Sequence, residues 1–227
     1  MSRGARLVIL GKQGAGKGTQ CVQLARHYVV PHISTGDMFR AAMKAGTGMG
    51  RLAKQFVDDG QLVPDEVVIG IVAERLSERD ARSRGFILDG FPRTTHQAEA
   101  LEKLLLPLKL DGVIDLEVPT ALVLDRLASR RVCGSCGHNY SVQRPPAFKW
   151  RCDHCGGEVI QREDDREEAI TVRLDAYERQ TKPLIEWYRG WDLLVTVDGS
   201  QPMDAVFENL VQVIDSRASI GSGTENP

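Results

Sequence analysis

Two pairs of cysteines have the spacing of a metal site. Two residues separate Cys133 from Cys136 and Cys152 from Cys155, and fifteen residues lie between the pairs. This spacing is typical of zinc bound tetrahedrally by four thiolates. Glycines beside each pair allow the tight turns that aim both sulfurs at one ion. Because four protein ligands leave no position open for water, the sequence predicts structural rather than catalytic zinc.

Other interpretations of these residues stay open. His138 and His154 adjoin the pairs, and either could replace a cysteine as ligand or simply face solvent. The four thiols could also stay reduced and metal-free. The fifth cysteine, Cys21, is interpreted as a small core residue. The remaining histidines have no ligand-like partners in the sequence and are assigned no chemistry: His27, His32 and His96.

A second chemical motif is glycine-rich. Residues 11–17 read GKQGAGK, between an apolar run at Arg6–Leu10 and a helical pattern at Thr19–Tyr28. A strand, such a loop and a helix in this order present several backbone N–H groups to a phosphate, and Lys17 adds a full charge. The alternative is a turn that binds nothing. Gly18 stands where a magnesium-binding Ser or Thr is usual, and Thr19 follows it.

Apolar runs alternating with helical patterns must position these motifs. Further runs lie at Phe86–Leu88, Val113–Val118 and Leu193–Val197, which predicts an α/β protein with a parallel sheet flanked by helices. Residues 37–79 are nearly all helical in pattern and form a predicted insertion. Helical periodicity is lost at 132–161, a second insertion, and returns at 167–188. The polar residues 219–227 are predicted to be disordered.

Composition describes an ordinary globular chain. It has 227 residues, 42% of them hydrophobic and 26% charged, with a formal net charge of -2. This predicts one main domain and lacks the basic excess that broad nucleic-acid binding needs. The first residues are neither a signal peptide nor a membrane span, so we expect a cytoplasmic protein without membrane partners.

Four more strings stand in compatible places: ISTGDMFR at 33–40, GQLV at 60–63, LDGFPR at 88–93 and REDD at 162–165. With GAGKGT at 14–19 they resemble the adenylate kinase family, from about Arg6 to Asn209. The resemblance implies a phosphate-loop NTPase fold with a helical AMP-binding insertion at 34–63 and a small zinc-binding lid at 130–165. Residues 1–33, 64–129 and 166–218 would form the core. Gln13 departs from the proline that is common in the family.

The resemblance also implies roles for individual residues. The ATP-binding residues would be Gly14, Ala15, Gly16, Lys17, Gly18, Thr19, Arg126, Arg130, Asn139, Tyr140 and Gln201. The AMP-binding residues would be Thr35, Arg40, Gln61, Leu62, Val63, Gly90, Phe91, Pro92, Arg93, Gln97, Arg162 and Arg173. The catalytic residues would be Lys17, Asp89, Arg93, Arg130, Arg162 and Arg173, and Asp164 and Asp165 would steady the closed lid.

Physical chemistry agrees with these roles. Guanidinium groups such as Arg93 grip phosphate with two hydrogen bonds, and the Gln97 amide can both donate to and accept from adenine. Asp89 ends an apolar run, where phosphate-loop enzymes place the acid that holds magnesium, although a helix cap is the alternative. Arg126 and Arg130 are four apart, which predicts one helix face. Each arginine taken alone could instead cover a solvated surface.

The implied function is reversible phosphoryl transfer from Mg-ATP to AMP, giving two ADP, by a monomer whose insertions close to exclude water. Thr35 favours AMP, since similar pyrimidine kinases carry alanine there. Two alternatives stay open. One is a GTP-AMP or UMP/CMP kinase of the same fold, and the other is a zinc-ribbon nucleic-acid-binding module joined to a nucleotide switch.

Overall fold

The computed structural model describes residues 4–59 and 61–221. Its strands are β1 (Arg6–Leu10), β2 (His32–Ser34), β3 (Phe86–Asp89), β4 (Gly112–Glu117), β5 (Arg130–Cys133), β6 (Asn139–Ser141), β7 (Val159–Ile160) and β8 (Leu194–Asp198). Five of them form a parallel sheet in the order β2-β3-β1-β4-β8, and the other three form a small antiparallel sheet in the order β6-β5-β7. The predicted α/β class is confirmed.

Helices connect the parallel strands. They are α1 (Lys17–Tyr28), α2 (Thr35–Lys44), α3 (Gly48–Val57), α4 (Asp65–Ser77), α5 (Arg79–Arg84), α6 (Thr95–Leu105), α7 (Thr120–Ser129), α8 (Glu167–Ala176), α9 (Pro183–Gly190) and α10 (Met203–Gly221). A 3-10 turn at Glu163–Asp165 precedes α8, and a π-helical turn at Tyr177–Thr181 follows it. No helix in the described part of the chain is long and apolar enough to cross a membrane.

The central strand β1 explains why the sheet is covered on both faces. All but its first residue are buried: Val8 and Leu10 join one core cluster, whereas Leu7 and Ile9 join the other. Since side chains alternate across a strand, a continuous apolar run requires apolar neighbours on both sides. Helices α4, α6 and α9 supply residues to the first cluster, and α1, α7 and α10 to the second.

The strand order fixes the position of the site. β1 lies between β3 and β4. From β1 the chain runs to β2 on the β3 side, and from β3 it runs to β4 on the opposite side. Ligands of open α/β sheets bind at such a switch point. The loop after β1, the Asp89–Arg93 segment after β3 and the start of α2 after β2 all meet at this edge.

The two predicted insertions have different structures. α2 and α3 lie between β2 and β3 in the chain and pack together. Each begins with a side-chain cap: the Ser34 hydroxyl oxygen accepts the N–H of Asp37, and the Thr47 hydroxyl oxygen accepts the N–H of Gly50. The segment without helical periodicity forms the small antiparallel sheet. α10 reaches Gly221, and residues 222–227, where most of the predicted disordered tail falls, lie outside the described residues.

Candidate active site

The glycine-rich loop joins β1 to α1. Residues 11–16 form the turn, and α1 begins at Lys17, with Gly18 and Thr19 in its first turn. Gly11 has a φ of 133°, and a Cβ atom there would lie 2.6 Å from the Leu116 carbonyl oxygen. The loop therefore needs glycine at this position for both its backbone conformation and its packing against β4.

Lys17 is partly buried where this loop meets α1. Its Nζ donates to the carbonyl oxygens of Gly11 and Lys12, at 2.7 and 2.8 Å. Burial lowers the pKa of Lys17 to about 8, although the charge of Asp89 opposes the shift. The charges of Arg93 and Arg173 contribute to this lowering. Burial and neighbouring cations both destabilise the charged form of Lys17, and a bound polyanion would relieve this, so the position is suited to binding one.

Asp89 ends β3 and faces the same loop. A Cβ atom on Gly18 would lie 3.4 Å from its Oδ2, which places the carboxylate against the first turn of α1. Burial favours the protonated form, but His32 and Lys17 outweigh it and lower the pKa of Asp89. The ionised carboxylate beside the phosphate loop fits a magnesium ion carried by a nucleotide, either directly or through water.

A cleft opens beside this loop, between the central sheet and α2 and α3. It is lined by Thr35, Gly36, Phe39, Arg40, Val57, Gln61, Leu62, Val63, Val68, Gly90, Arg93, Gln97, Asp164 and Arg173. Most of the residues predicted to bind AMP are among them. Phe91 and Pro92 are buried behind the cleft, and Phe91 is part of the core.

Gly90 lets the chain turn at the base of the cleft. Its φ is 82°, and a Cβ atom would lie 2.9 Å from both Thr35 Oγ1 and an Arg93 Nη. The Gly90 carbonyl accepts hydrogen bonds from Thr35 Oγ1 at 3.0 Å and from Arg93 Nε at 2.9 Å. These contacts join the start of α2, the segment after β3 and the Arg93 side chain into one wall.

Arginines converge where the cleft meets the phosphate loop. Burial, together with the charges of Arg173 and Arg40, lowers the pKa of Arg93 to about 10. Arg162 also has a pKa near 10, because it is buried near Arg40 and Arg130. Its Nε is buried without a hydrogen-bond partner among the described residues. Mutually repelling buried guanidinium groups form a site for an anion of high charge.

Two buried aspartates hold part of this cluster. Arg130 Nε donates to Asp165 Oδ2 at 2.7 Å, and a second bond joins the same groups. Arg173 Nη1 donates to the Asp164 carbonyl oxygen at 2.7 Å and lies 3.1 Å from its carboxylate. Both aspartates are buried, whereas the neighbouring acids Glu163, Glu167 and Glu168 are exposed.

The predicted helix face shared by Arg126 and Arg130 is wrong. α7 ends at Ser129, and Arg130 has the extended ψ of 137° that begins β5. The turn allows Arg130 to reach Asp165, whereas Arg126 donates to the carbonyl oxygens of Ala15 and Gly199. Arg126 therefore braces the phosphate loop. Gln201 follows Gly199 and contacts Asp198 and Asn209.

The four paired cysteines meet in the small antiparallel sheet. Their Sγ atoms all lie within 4.8 Å of one another, with 3.4 Å between Cys133 and Cys155. Tyr140 donates to Cys152 Sγ at 3.4 Å and accepts from the Asp153 N–H. This arrangement can hold a metal ion. Tyr140 thus belongs to the cysteine cluster, and the contacts of Asn139 and Tyr140 with a donor nucleotide stay a prediction.

Sequence reasoning missed two positioning contacts. His32 Nε2 lies 3.5 Å from Asp89 Oδ2, and Asp65 accepts a hydrogen bond from Gln97 Nε2 at 2.7 Å. His96 also approaches Asp65, at 3.4 Å, so two of the histidines assigned no chemistry contact site acids. The partners are more than thirty residues apart in sequence, and no local pattern indicates their pairing.

The parallel sheet, the loop after β1 and the buried cations together define a phosphate-loop nucleotide-binding protein. The family model described as adenylate kinase matches residues 9–193. An adenylate kinase of Desulfitobacterium hafniense is 54% identical over 213 residues, which cover 92% of this chain and 98% of the relative. One of Bacillus cereus is 51% identical over 215 residues, covering 93% and 99%. The chain belongs to the adenylate kinase family.

Proposed function

We propose that this chain transfers a phosphoryl group reversibly from Mg-ATP to AMP, giving two ADP. One observation carries the proposal: partly buried cations from the phosphate loop, the segment after β3 and α8 converge beside a cleft lined by the buried amide of Gln97. Arg93 and Arg173 are close enough to lower the pKa of Lys17, and Arg173 is close enough to lower that of Arg93. Such a set suits two phosphate chains placed end to end.

Each group has a role in this reaction. The N–H groups of residues 14–19 and Lys17 would hold the ATP phosphates, whereas Arg40 and Arg93 would hold the AMP phosphate. Arg130, Arg162 and Arg173 would match the charge that spreads over the transferred phosphoryl group. Bound magnesium supplies further neutralisation of the phosphate charge, and Asp89 would hold it directly or through water. No protein nucleophile is required.

Closure of the insertions would exclude water. Water in the place of AMP would hydrolyse ATP, so the reactive geometry must form only when both nucleotides are bound. We infer that residues 34–63 close over AMP and residues 130–165 over ATP, on a core made of 1–33, 64–129 and 166–218. The Arg173–Asp164 pair supports the closed form, because it joins α8 to the lid, and the Arg130–Asp165 pair joins the two ends of the lid.

The metal in the lid would be zinc in a structural role. Four converging thiols match its ligand preference and leave no position for a substrate. The lobe buries only Cys133, Cys152 and Val159 as a core cluster, so the ion would replace missing apolar packing. Free thiols of this kind fit a reducing cytoplasm. A monomer suffices, since every predicted site residue comes from one chain.

The experiment is a coupled assay of the purified protein with magnesium, ATP and each of AMP, GMP, CMP and UMP, after which GTP replaces ATP. Fast ADP formation with ATP and AMP alone is expected. Preference for CMP, UMP or GTP would replace the proposed substrates with those of another kinase of this fold. Turnover with no pair, together with salt-dependent retention of nucleic acid on a filter, would contradict the proposal and favour the nucleic-acid-binding module.

A further inference from the structure

We propose that Asp65 is a specificity-determining residue for the acceptor base. It would lock the Gln97 amide in the one orientation that reads adenine and rejects a 6-oxopurine such as hypoxanthine or guanine. The inference deepens the proposed function and rests on it, since it takes AMP as the acceptor and Gln97 as the residue that reads its base. Asp65 acts through Gln97 and is a positioning residue.

Two contacts hold the Gln97 amide from opposite ends. Its Nε2 donates to Asp65 Oδ1 at 2.7 Å, and its Oε1 accepts the backbone N–H of Arg93 at 2.8 Å. Gln97 is only 1% exposed, so water cannot replace either partner. A backbone N–H can only donate and a carboxylate can only accept, which fixes the assignment of oxygen and nitrogen.

Rotation of the amide by 180° would break both contacts. Oε1 would then face the Asp65 carboxylate, and Nε2 would face the Arg93 N–H. Two acceptors would meet at one end and two donors at the other, each buried and unsatisfied. Hydrogen bonds to a charged group are the stronger ones, so Asp65 contributes more than the Arg93 N–H to fixing the orientation of the amide.

Asp65 is itself held in place. It begins α4, and its Oδ2 accepts the Thr94 hydroxyl at 2.6 Å, which leaves Oδ1 for Gln97. Thr94 also caps α6 by accepting the N–H of Gln97 at 3.2 Å. The carboxylate thus joins the starts of α4 and α6. Because both helices pack in the core, Asp65 and the Gln97 amide cannot shift together.

The locked amide keeps one N–H and one oxygen lone pair for the base. Adenine offers an acceptor at N1 and a donor at N6, whereas a 6-oxopurine offers a donor at N1 and an acceptor at O6. The order of donor and acceptor is therefore reversed between the two classes. With the acceptor's phosphate held by arginines, the base cannot slide to compensate, and only amide rotation would accommodate a 6-oxopurine.

The test is Asp65→Asn, assayed with AMP and with inosine monophosphate. An asparagine amide can accept or donate, so it tolerates both orientations of Gln97. We expect the ratio of kcat/KM for inosine monophosphate to that for AMP to rise about tenfold, with KM for AMP rising more than kcat falls. Glu66→Gln is the control, because it removes an exposed acid from the same turn of α4 and leaves the ratio unchanged.

A double-mutant cycle separates the lock from a general structural role. Gln97→Met removes the amide, and in that background Asp65→Asn should leave the ratio unchanged. If Asp65→Asn does not fold, as judged by circular dichroism, Asp65→Ser keeps a residue suited to a helix start and replaces it in the cycle. An equal loss with both substrates in the single variant, or a changed ratio in the Gln97→Met background, overturns the inference.

The outcome for the unsubstituted protein distinguishes this inference from the proposed function. If it does not turn over AMP, the proposed function fails. If it turns over AMP and the Asp65→Asn ratio stays within about twofold of the original, the proposed function stands and only the role of Asp65 is overturned.

Discussion

Lys44 Nζ donates a hydrogen bond to the carbonyl oxygen of Gly134 at 3.1 Å. Lys44 ends α2, and Gly134 follows β5 in the cysteine-containing lobe, so this bond joins the two insertions directly. A weaker attraction joins Lys54 on α3 to Glu163 in the second insertion. Asp58 raises the pKa of Lys54, and the charge of Glu163 adds to that shift. The two insertions therefore contact each other through residues of their own.

Lys44→Met should shift the protein toward its open form. The exposed bond is worth about 0.5–1 kcal/mol, which corresponds to a change of about two- to fivefold in the ratio of closed to open protein. We expect KM to rise for both nucleotides by about that factor, and kcat to stay constant or rise if opening limits turnover. Steady-state kinetics check this, with Lys103→Met on α6 as a control. A lower kcat at unchanged KM would be the contrary result.

The charge of Lys17 should set an upper pH limit for ATP binding. Its pKa is about 8, below the ordinary 10.5, because it is buried. It is charged below pH 8 and neutral above, so kcat/KM for Mg-ATP, which reports the free enzyme, should fall above about pH 8. Lys17→Arg keeps a charge that does not titrate, and its residual activity should remain flat through this range. An unchanged profile in the original protein would reject the role of Lys17.

Asp165→Asn should weaken both catalysis and the fold. The Asp165 carboxylate is fully buried between Arg130 and Arg173, and its loss removes the ion pair of Arg130 and leaves Arg173 with Asp164 alone. We expect a loss of about 3 kcal/mol in unfolding free energy, or roughly 5–10 °C in Tm, and a lower kcat. Calorimetry and kinetics measure these. Glu163→Gln, which removes an exposed acid two positions away, should change the Tm by less than about 2 °C.

Cys152→Ser should release the predicted zinc. Atomic absorption should give one zinc per chain before the substitution and less than about 0.2 after it, with a Tm lower by at least about 5 °C. Cys21→Ala is the matched control, because Cys21 lies on α1 away from the cluster and its loss should leave the metal content unchanged. A full complement of zinc in Cys152→Ser would remove the four-thiolate assignment.

The fold was largely predictable because its signals are local. The β1 run, the glycine-rich loop and the start of α1 are contiguous, and each follows from residue type and period. The same holds for Cys133 and Cys136, whose spacing alone indicates a turn that gathers two sulfurs. The boundaries of β3, α1 and β8 differ from the predictions by only one or two residues.

The side-chain contacts of the site were less predictable. Arg130 was assigned to a helix because its spacing from Arg126 fits one, but the chain turns there to pair with β6. The role of Asp164 and Asp165 in the lid came from the resemblance, but their arginine partners follow only from the packing of α8 and the lid. Gln97 and Asp65 meet only because α4 and α6 pack together, a tertiary fact with no period in the sequence.

Placement of the five cysteines also determines how this protein can be labelled. Cys21 has no exposed surface, and burial raises the pKa of its thiol well above the ordinary value, which suppresses its reaction with maleimides. The other four would be occupied as metal ligands. New cysteines at the exposed Met49 of α3 and Phe148 of the lobe would then be the only thiols open to fluorescent dyes. Energy transfer between two such dyes could follow opening and closing molecule by molecule, with every native cysteine retained.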